Sequence, residues 1–169
     1  MNRTADVVIV GAGVIGSATA FELAKRGYKT LNIDKLPASG YGSTSNSCAI
    51  VRAHYSTWDG VAMAYEGFFY WDDWNKYLEV EDERGMAKYM KTGSIMFMLK
   101  GADHSKKSLN LFKDIGVEHE IWDLETLKKK MPIYSHDSYN GTSRPDEDDS
   151  FFDKSGDQIE GAVWTPGSL

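Results

Sequence analysis

Three glycines near the start of the chain, Gly11, Gly13 and Gly16, have the G-x-G-x-x-G spacing of a phosphate-binding turn. In such a turn the first glycine allows a tight bend and the second lets a pyrophosphate approach the backbone. The third lets a helix pack closely on the preceding strand. Asp34 lies 18 positions after Gly16, where a carboxylate can accept hydrogen bonds from a ribose. These four residues predict a dinucleotide site.

The surrounding sequence predicts the elements that this turn requires. Val7–Val10 is a β-branched run typical of a strand buried on both faces. Val14–Arg26 has the spacing of a helix that ends at Gly27, and Lys29–Ile33 predicts a second strand ending at Asp34. A βαβ unit would place the pyrophosphate at the helix N-terminus. The alternative is a glycine-rich turn that binds nothing.

A run of small polar residues follows the loop Leu36–Gly42. In a doubly wound sheet the segment after the second strand lies at the carboxyl ends of the strands, where ligands bind. We therefore expect this run to contact the ligand, and a surface loop followed by a helix cap is the alternative. The run consists of Ser43, Thr44, Ser45, Asn46 and Ser47.

A cation, an imidazole and a phenol come next, at Arg52, His54 and Tyr55. Arginine is the side chain best suited to hold a carboxylate through two hydrogen bonds, and histidine can titrate near neutral pH. The alternatives are a structural ion pair for Arg52 and a core position for His54. Cys48 is the only cysteine, and we expect it to be a small buried hydrophobe rather than a reactive thiol.

Composition excludes several classes of function. A net charge of −6 without a basic cluster argues against a nucleic-acid partner. No apolar stretch is long enough to span a membrane, and Asp6 interrupts the N-terminal apolar run that could suggest a signal peptide. The acidic run Asp146–Asp149 lacks the spacing of a calcium loop, so no metal site is expected. We expect a cytoplasmic protein.

The later sequence alternates helix and strand patterns. The longest predicted helix, Asp59–Val80, is capped by Asp59 and carries two apolar stripes, which is typical of a helix buried between layers. Tyr89–Met98 predicts a hairpin or a bent strand around Gly93. The remaining predicted elements are a helix over Asp103–Ile115 ended by Gly116, a strand over Glu118–Trp122, a helix over Leu124–Met131 capped by Asp123, and a strand over Gly161–Trp164.

These motifs together resemble the N-terminal part of the FAD-dependent amine and amino-acid oxidoreductases, the superfamily of D-amino-acid oxidase, glycine oxidase, sarcosine oxidase and dimethylglycine dehydrogenase. The specific matches are DVVIVGAGVIGSATAFELAKRG and GSTSNSCAIVR, supported by the aromatic helix, TGSIMFM and the helix ending at Met131-Pro132. Members are usually more than twice as long, and their C-terminal half completes the FAD domain. The chain is therefore expected to be a fragment, a truncated product or one subunit of a split enzyme.

The resemblance implies oxidation of the C–N bond of an amino acid or a secondary or tertiary amine, by hydride transfer to the flavin. Asn46 stands where several members attach flavin covalently through a histidine, so the FAD would be non-covalent. Arg52 matches an arginine that meets the substrate carboxylate, with His54 and Tyr55 as candidate partners. The candidate FAD-binding residues are Gly11, Gly13, Val14, Ile15, Gly16, Asp34, Lys35, Ser43, Thr44, Ser45, Asn46 and Ser47.

The expected fold class is α/β. Residues 1–84 would form a Rossmann-like FAD-binding region with the long aromatic helix, and residues 85–169 part of an α+β substrate domain. The expected partners are a small amine or amino-acid substrate and either a second subunit or a missing C-terminal half. A catalytically incomplete module that binds FAD or NAD remains the alternative, as does a nicotinamide-binding protein.

Overall fold

The computed structural model describes residues 4–139, 144, 146–147, 149, 153–156 and 159–167. Strands and helices are both present, which confirms the α/β class. The chain divides into two compact units, Met1–Ile50 and Val51–Leu169. The sequence instead predicts a division by binding role, with cofactor binding in residues 1–84 and substrate binding in residues 85–169. Compactness does not test that division, so it stays a prediction.

The first unit is a βαβ arrangement, as the sequence predicts. Strand β1 (Val7–Val10) and strand β2 (Thr30–Ile33) pair in parallel, with Val7 opposite Thr30 and Val10 opposite Ile33. Helix α1 (Val14–Lys25) connects them. The side chains of β1 alternate, and those of Val8 and Val10 are 55% and 83% exposed. The expectation that β1 is buried on both faces is therefore wrong for this structure, because α1 packs on only one face.

Helix α1 ends where the sequence predicts. Gly27 has a φ of +87°, which glycine adopts without strain. Its N–H donates to Ala24 O (2.9 Å), and the next N–H, of Tyr28, donates to Leu23 O (3.1 Å). These two bonds form a Schellman motif, which satisfies helix-end carbonyls and turns the chain toward β2.

The second unit is built on a three-stranded antiparallel sheet. Strands β3 (Ser94–Leu99), β4 (Glu120–Asp123) and β7 (Ile159–Thr165) have the order β3-β7-β4, so the last strand of the chain lies in the middle. The other elements of this unit are the helices α2 (Trp58–Asp72), α3 (Trp74–Leu78), α4 (Asp103–Ile115) and α5 (Leu124–Lys130), and the paired strands β5 (Ser138–Tyr139) and β6 (Lys154–Gly156).

Two predicted elements of this unit need correction. The single helix expected over Asp59–Val80 is interrupted at Asp73, whose φ of −126° and ψ of +53° are not helical, and its cap is Thr57 rather than Asp59. The Thr57 hydroxyl accepts from the N–H of Gly60 at 3.2 Å. The strand expected from Tyr89 begins only at Ser94 and pairs with β7, so it is not part of a local hairpin.

Two apolar clusters hold the second unit together. The larger one contains Ala53, Val61 and Phe112, all fully buried, and the smaller one joins Trp122 to Leu127. One stripe of α2 packs inward as expected. The other does not, since its Met63 and Tyr70 are 74% and 44% exposed, so the expectation that both faces of this helix are buried is wrong here.

Gly16 is the position where a single methyl group should do most damage to the βαβ unit. An added Cβ would collide with the carbonyl oxygen of Gly11 and lie 2.9 Å from its carbon. We expect Gly16→Ala to lower the free energy of unfolding by about 1–3 kcal/mol or more, as overpacking does. Gly67→Ala is the matched control, because it also lies in a helix but has nothing within 4 Å of the added Cβ.

The control should leave stability unchanged or raise it by about 0.5–1 kcal/mol, since alanine is the better helix former. Urea unfolding of both variants measures the difference. Equal stabilities for Gly16→Ala and the wild type would contradict the close packing described for α1.

Candidate functional site

The glycine turn is fixed by its own backbone. Gly11 has a φ of +111°, a value that residues with a side chain rarely adopt, and its N–H donates to Ile33 O at 2.7 Å. Asn32 holds the other side of the turn, because its Nδ2 donates to Gly16 O at 3.1 Å and to Gly11 O at 3.4 Å. Backbone and Asn32 hydrogen bonds thus connect the glycine turn to β2 and to the start of α1, and neither Gly11 nor Gly16 contributes a side chain.

Asp34 lies at the tip of β2, where its carboxylate bridges two backbone segments. Oδ2 accepts from the N–H of Ala12 at 2.7 Å, and Oδ1 accepts from the N–H of Leu36 at 2.9 Å. The bond from Ala12, followed by that from Leu36, holds the pKa of Asp34 below its usual value. The group is therefore ionised at neutral pH, and each oxygen retains a lone pair for a further donor such as a sugar hydroxyl.

The polar run reaches the start of α1 through Thr44. Its Oγ1 accepts from the N–H of Val14 at 2.9 Å and would lie 3.1 Å from a Cβ added at Gly13. Ser45 Oγ and Asn46 Nδ2 both donate to Gly42 O, at 3.2 and 2.9 Å, which folds the run on itself. The positive dipole end of α1 is thus contacted by the hydroxyl of Thr44.

An open groove of about 380 Å³ lies at the carboxyl ends of β1 and β2. The first unit therefore brings the glycine turn, Asp34, Lys35 and Thr44 into one region, which fits a nucleotide with a diphosphate. The groove is lined by Val10, Gly11, Ile33, Asp34 and Lys35.

The three candidate substrate residues belong to the second unit. The N–H of Tyr55 donates to Ala53 O at 2.8 Å, so the chain makes a three-residue γ-turn centred on His54. This turn leaves Arg52 and Tyr55 exposed, with the guanidinium carbon 5.7 Å from the centre of the Tyr55 ring. Within the described part of the chain no carboxylate pairs with Arg52.

His54 turns inward and is half-buried. Its Nε2 lies 2.9 Å from Ser94 Oγ and 3.2 Å from Thr165 Oγ1, and its ring packs on Phe112 with centroids 5.2 Å apart. Burial, and then the positive charge of Arg52, lower the pKa of His54 to about 4. Of the two alternatives for His54, titration near neutral pH is therefore wrong, and its half-buried ring matches the core position.

Ser94 and Thr165 were not identified from the sequence as site residues. They lie 40 and 111 positions from His54, and only the antiparallel pairing of β3 with β7 brings them together. The expectation for Cys48 also needs correction, since its thiol is exposed rather than buried.

Neither a metal site nor a membrane-spanning helix is found among the residues that the structure describes. No group of three or more His, Cys, Asp and Glu side chains could hold a metal ion there. The run Asp146–Asp149 lies partly outside those residues. No helix in the described ranges has the length and apolarity to cross a membrane.

The family model of the DAO family, FAD dependent oxidoreductase, matches residues 6–167. The chain belongs to this family. A monomeric sarcosine oxidase from Bacillus sp. (strain B-0618) is 28% identical over 149 residues, which cover 86% of this chain and 37% of that protein. A digeranylgeranylglycerophospholipid reductase from Sulfolobus acidocaldarius is 30% identical over 137 residues, or 76% of this chain and 27% of the relative.

The structure also resembles an L-proline dehydrogenase from P. horikoshii, with a TM-score of 0.72 and 20% identity, over 99% of this chain and 38% of the other. At that identity the likeness shows the fold. The chain spans about a third of the length of these proteins.

The buried neutral imidazole predicts a pH-dependent stability. The folded pKa of His54, about 4, lies below the unfolded value of 6.5, so the unfolded chain takes up a proton first as pH falls. Stability from this group is complete above pH 6.5 and decreases progressively down to about pH 4. With allowance for partial solvent access, the loss should be on the order of 1–2 kcal/mol.

Unfolding free energies of the wild type and His54→Asn, measured in urea between pH 7.5 and pH 5, test this. The wild type should lose stability over this range, and the difference between the two proteins should narrow as the pH falls. Parallel curves would show that His54 is not the titrating group.

Proposed function

We propose that this chain is the N-terminal, FAD-binding part of an oxidoreductase that oxidises the C–N bond of an amino acid or a secondary or tertiary amine. The observation that carries the proposal is the cradle at the carboxyl ends of β1 and β2, built from the Gly11–Gly16 turn, Asp34 and Thr44. The family match over residues 6–167 supports FAD as its ligand.

The residues of the cradle have separate roles in this proposal. The backbone of Gly11–Gly16, including Val14 and Ile15 at the helix start, receives the pyrophosphate, and Asp34 accepts hydrogen bonds from the ribose. Lys35 lines the same groove. The hydroxyl run from Ser43 to Ser47 contacts the pyrophosphate or the flavin ring. Asn46 offers no nucleophile for attachment, so a flavin held at this position is bound non-covalently.

FAD, when bound, supplies the hydride acceptor for the oxidation. Arg52 then has the task of holding the carboxylate of an amino-acid substrate, and Tyr55 and His54 are its hydrogen-bonding candidates. Support comes from the exposed guanidinium, which has no carboxylate partner in the described residues, and from its stacking on Tyr55. One relative is a sarcosine oxidase and one similar structure is an L-proline dehydrogenase, which supports an amine substrate.

The competing proposal is a nucleotide-binding module without activity of its own. The length of the chain favours this alternative, since the chain spans about a third of the length of the proteins that it matches. Our own proposal therefore includes a further segment or a second subunit that completes the enzyme. The lipid reductase among the relatives shows that similarity in this region accompanies more than one substrate class. A cytoplasmic location is also retained as a prediction.

Asp34→Ala tests the nucleotide role against a matched control. We expect this variant to bind FAD about 10- to 100-fold more weakly, as the loss of charged hydrogen bonds would cause. Asp6→Ala removes a carboxylate that also accepts a backbone N–H, that of Lys29 at 2.8 Å, but at the opposite ends of the strands. It should change FAD affinity less than about twofold, within the effect of ordinary surface substitutions.

Fluorescence titration of each apoprotein with FAD measures these affinities. A similar loss in both variants would mean that the carboxylates act only on the fold. Tighter binding of NAD than of FAD by the wild type would contradict the choice of cofactor.

Arg52→Lys tests the substrate assignment in the complete, flavin-loaded enzyme. Lysine keeps the charge but loses the two-pronged grip on a carboxylate, so kcat/KM for amino acids should fall roughly 30- to 1000-fold. Amines without a carboxylate should be unaffected. Arg84→Lys, a matched change at another exposed arginine of the same unit, should spare both substrate classes. An equal loss for both classes would make Arg52 structural.

A further inference from the structure

The segment Val51–Tyr55 has no regular secondary structure, yet the side chain of His54 within it contacts the sheet of the second unit. Three side-chain atoms form a closed triangle, with His54 Nε2 2.9 Å from Ser94 Oγ and 3.2 Å from Thr165 Oγ1, and the two hydroxyls 3.0 Å apart. Ser94 opens β3 and Thr165 closes β7, and the two residues are directly paired in the sheet. The triangle therefore ties the segment to the most regular part of the unit.

The γ-turn divides the segment into an inward and an outward side. Ala53 is 0% exposed and His54 is half-buried, whereas Arg52 and Tyr55 are exposed. The hydrogen bond from the N–H of Tyr55 to Ala53 O closes the turn around His54. Holding the imidazole in place therefore restrains the backbone on both sides of His54. It also restrains the Cα positions of Arg52 and Tyr55, from which the two exposed side chains extend.

The polar groups of the imidazole favour one arrangement of its proton. Nδ1 is buried without a hydrogen-bond partner among the described residues, whereas Nε2 faces two hydroxyls. A buried N–H without an acceptor costs more than a buried lone pair without a donor, so the proton belongs on Nε2. Nε2–H then donates to Ser94 Oγ, the nearer hydroxyl, and the Ser94–Thr165 bond orients that acceptor.

We propose that His54, Ser94 and Thr165 are positioning residues that hold the Arg52–Tyr55 pair in the geometry needed to bind a substrate carboxylate. This inference rests on the proposed function of Arg52. It changes the role of His54, which acts through the turn rather than by touching the substrate. A two-bond grip depends on orientation, and misplacement by about 1 Å can cost about 100-fold in rate.

The test uses variants of the two hydroxyl residues of the triangle. Thr165→Val keeps the side-chain shape and removes the hydroxyl, and Thr165→Ser restores a hydroxyl. Ser94→Ala breaks the other side of the triangle. Ser105→Ala is the matched control, because Ser105 is a buried hydroxyl residue of this unit, as Thr165 is, but its hydroxyl bonds only to Ala102 O, at 3.4 Å, among the described residues.

Amide hydrogen exchange reports on the segment without any need for turnover. In Thr165→Val and Ser94→Ala the Tyr55 amide should exchange about tenfold faster or more, while the Phe112 amide in the core of α4 keeps its protection. Thr165→Ser and Ser105→Ala should match the wild type within about twofold. Unchanged exchange at Tyr55 in both disruptive variants, or an equal loss at Phe112, would overturn the positioning role.

Kinetics of the complete, flavin-loaded enzyme then connect the segment to binding. Thr165→Val should lower kcat/KM about tenfold or more for amino acids, mainly through KM, and spare amines that lack a carboxylate. Thr165→Ser should recover most of the loss. If Arg52→Lys is selective for carboxylate substrates but Thr165→Val is not, the positioning inference fails alone. If Arg52→Lys is not selective either, the proposed function fails, and the exchange data still decide whether the triangle fixes the turn.

Discussion

The close approach of α1 to the glycine turn is the contact on which the first unit depends. At Gly16 the helix backbone comes so near the Gly11 carbonyl that no side chain fits between them. Because Gly16 lies in the first turn of α1, which starts at Val14, this contact keeps the helix N-terminus at the edge of the two strands where Asp34 and Thr44 bond to the backbone of the turn. The cradle is thus largely a consequence of backbone packing, and the polar side chains complete it.

The sequence predicted those features whose causes are local. Gly27 and Gly116 end helices because a left-handed residue is needed at each end, and Asp123 caps α5 by accepting from the N–H of Thr126 at 2.8 Å. The glycine spacing and the acid at the end of β2 likewise predicted the turn and its neighbours. The helix-end and capping signals lie within a few residues of the feature that they specify, whereas Asp34 acts across 22 positions, through its bond with Ala12.

Features that depend on distant segments were missed or wrongly predicted. The pattern around Gly93 indicated either a hairpin or a bent strand, and the local hairpin is wrong because the partner strand β7 is distant in sequence. For the same reason the sequence could not decide between titration near neutral pH and a core position for His54, which packs on Phe112. The break at Asp73 has no proline or glycine to mark it.

The two units contain groups suited to different roles, and a single FAD-dependent oxidoreductase family model covers both of them. The first unit contains groups suited to a dinucleotide, and the second contains an exposed arginine held by a buried turn. The cofactor assignment therefore rests on geometry and family together. The substrate assignment rests on one guanidinium and its immediate neighbours.

Flavin content of the purified wild type and of Gly13→Val tests whether the glycine turn binds FAD. A Cβ at Gly13 would meet only the end of the Thr44 side chain, 3.1 Å away, so the fold should survive while the pyrophosphate loses its close approach to the backbone. We expect the wild type to contain bound FAD, and the variant to melt at a similar temperature without it. Equal flavin content in the two proteins, or a wild type that binds none, would contradict the claim.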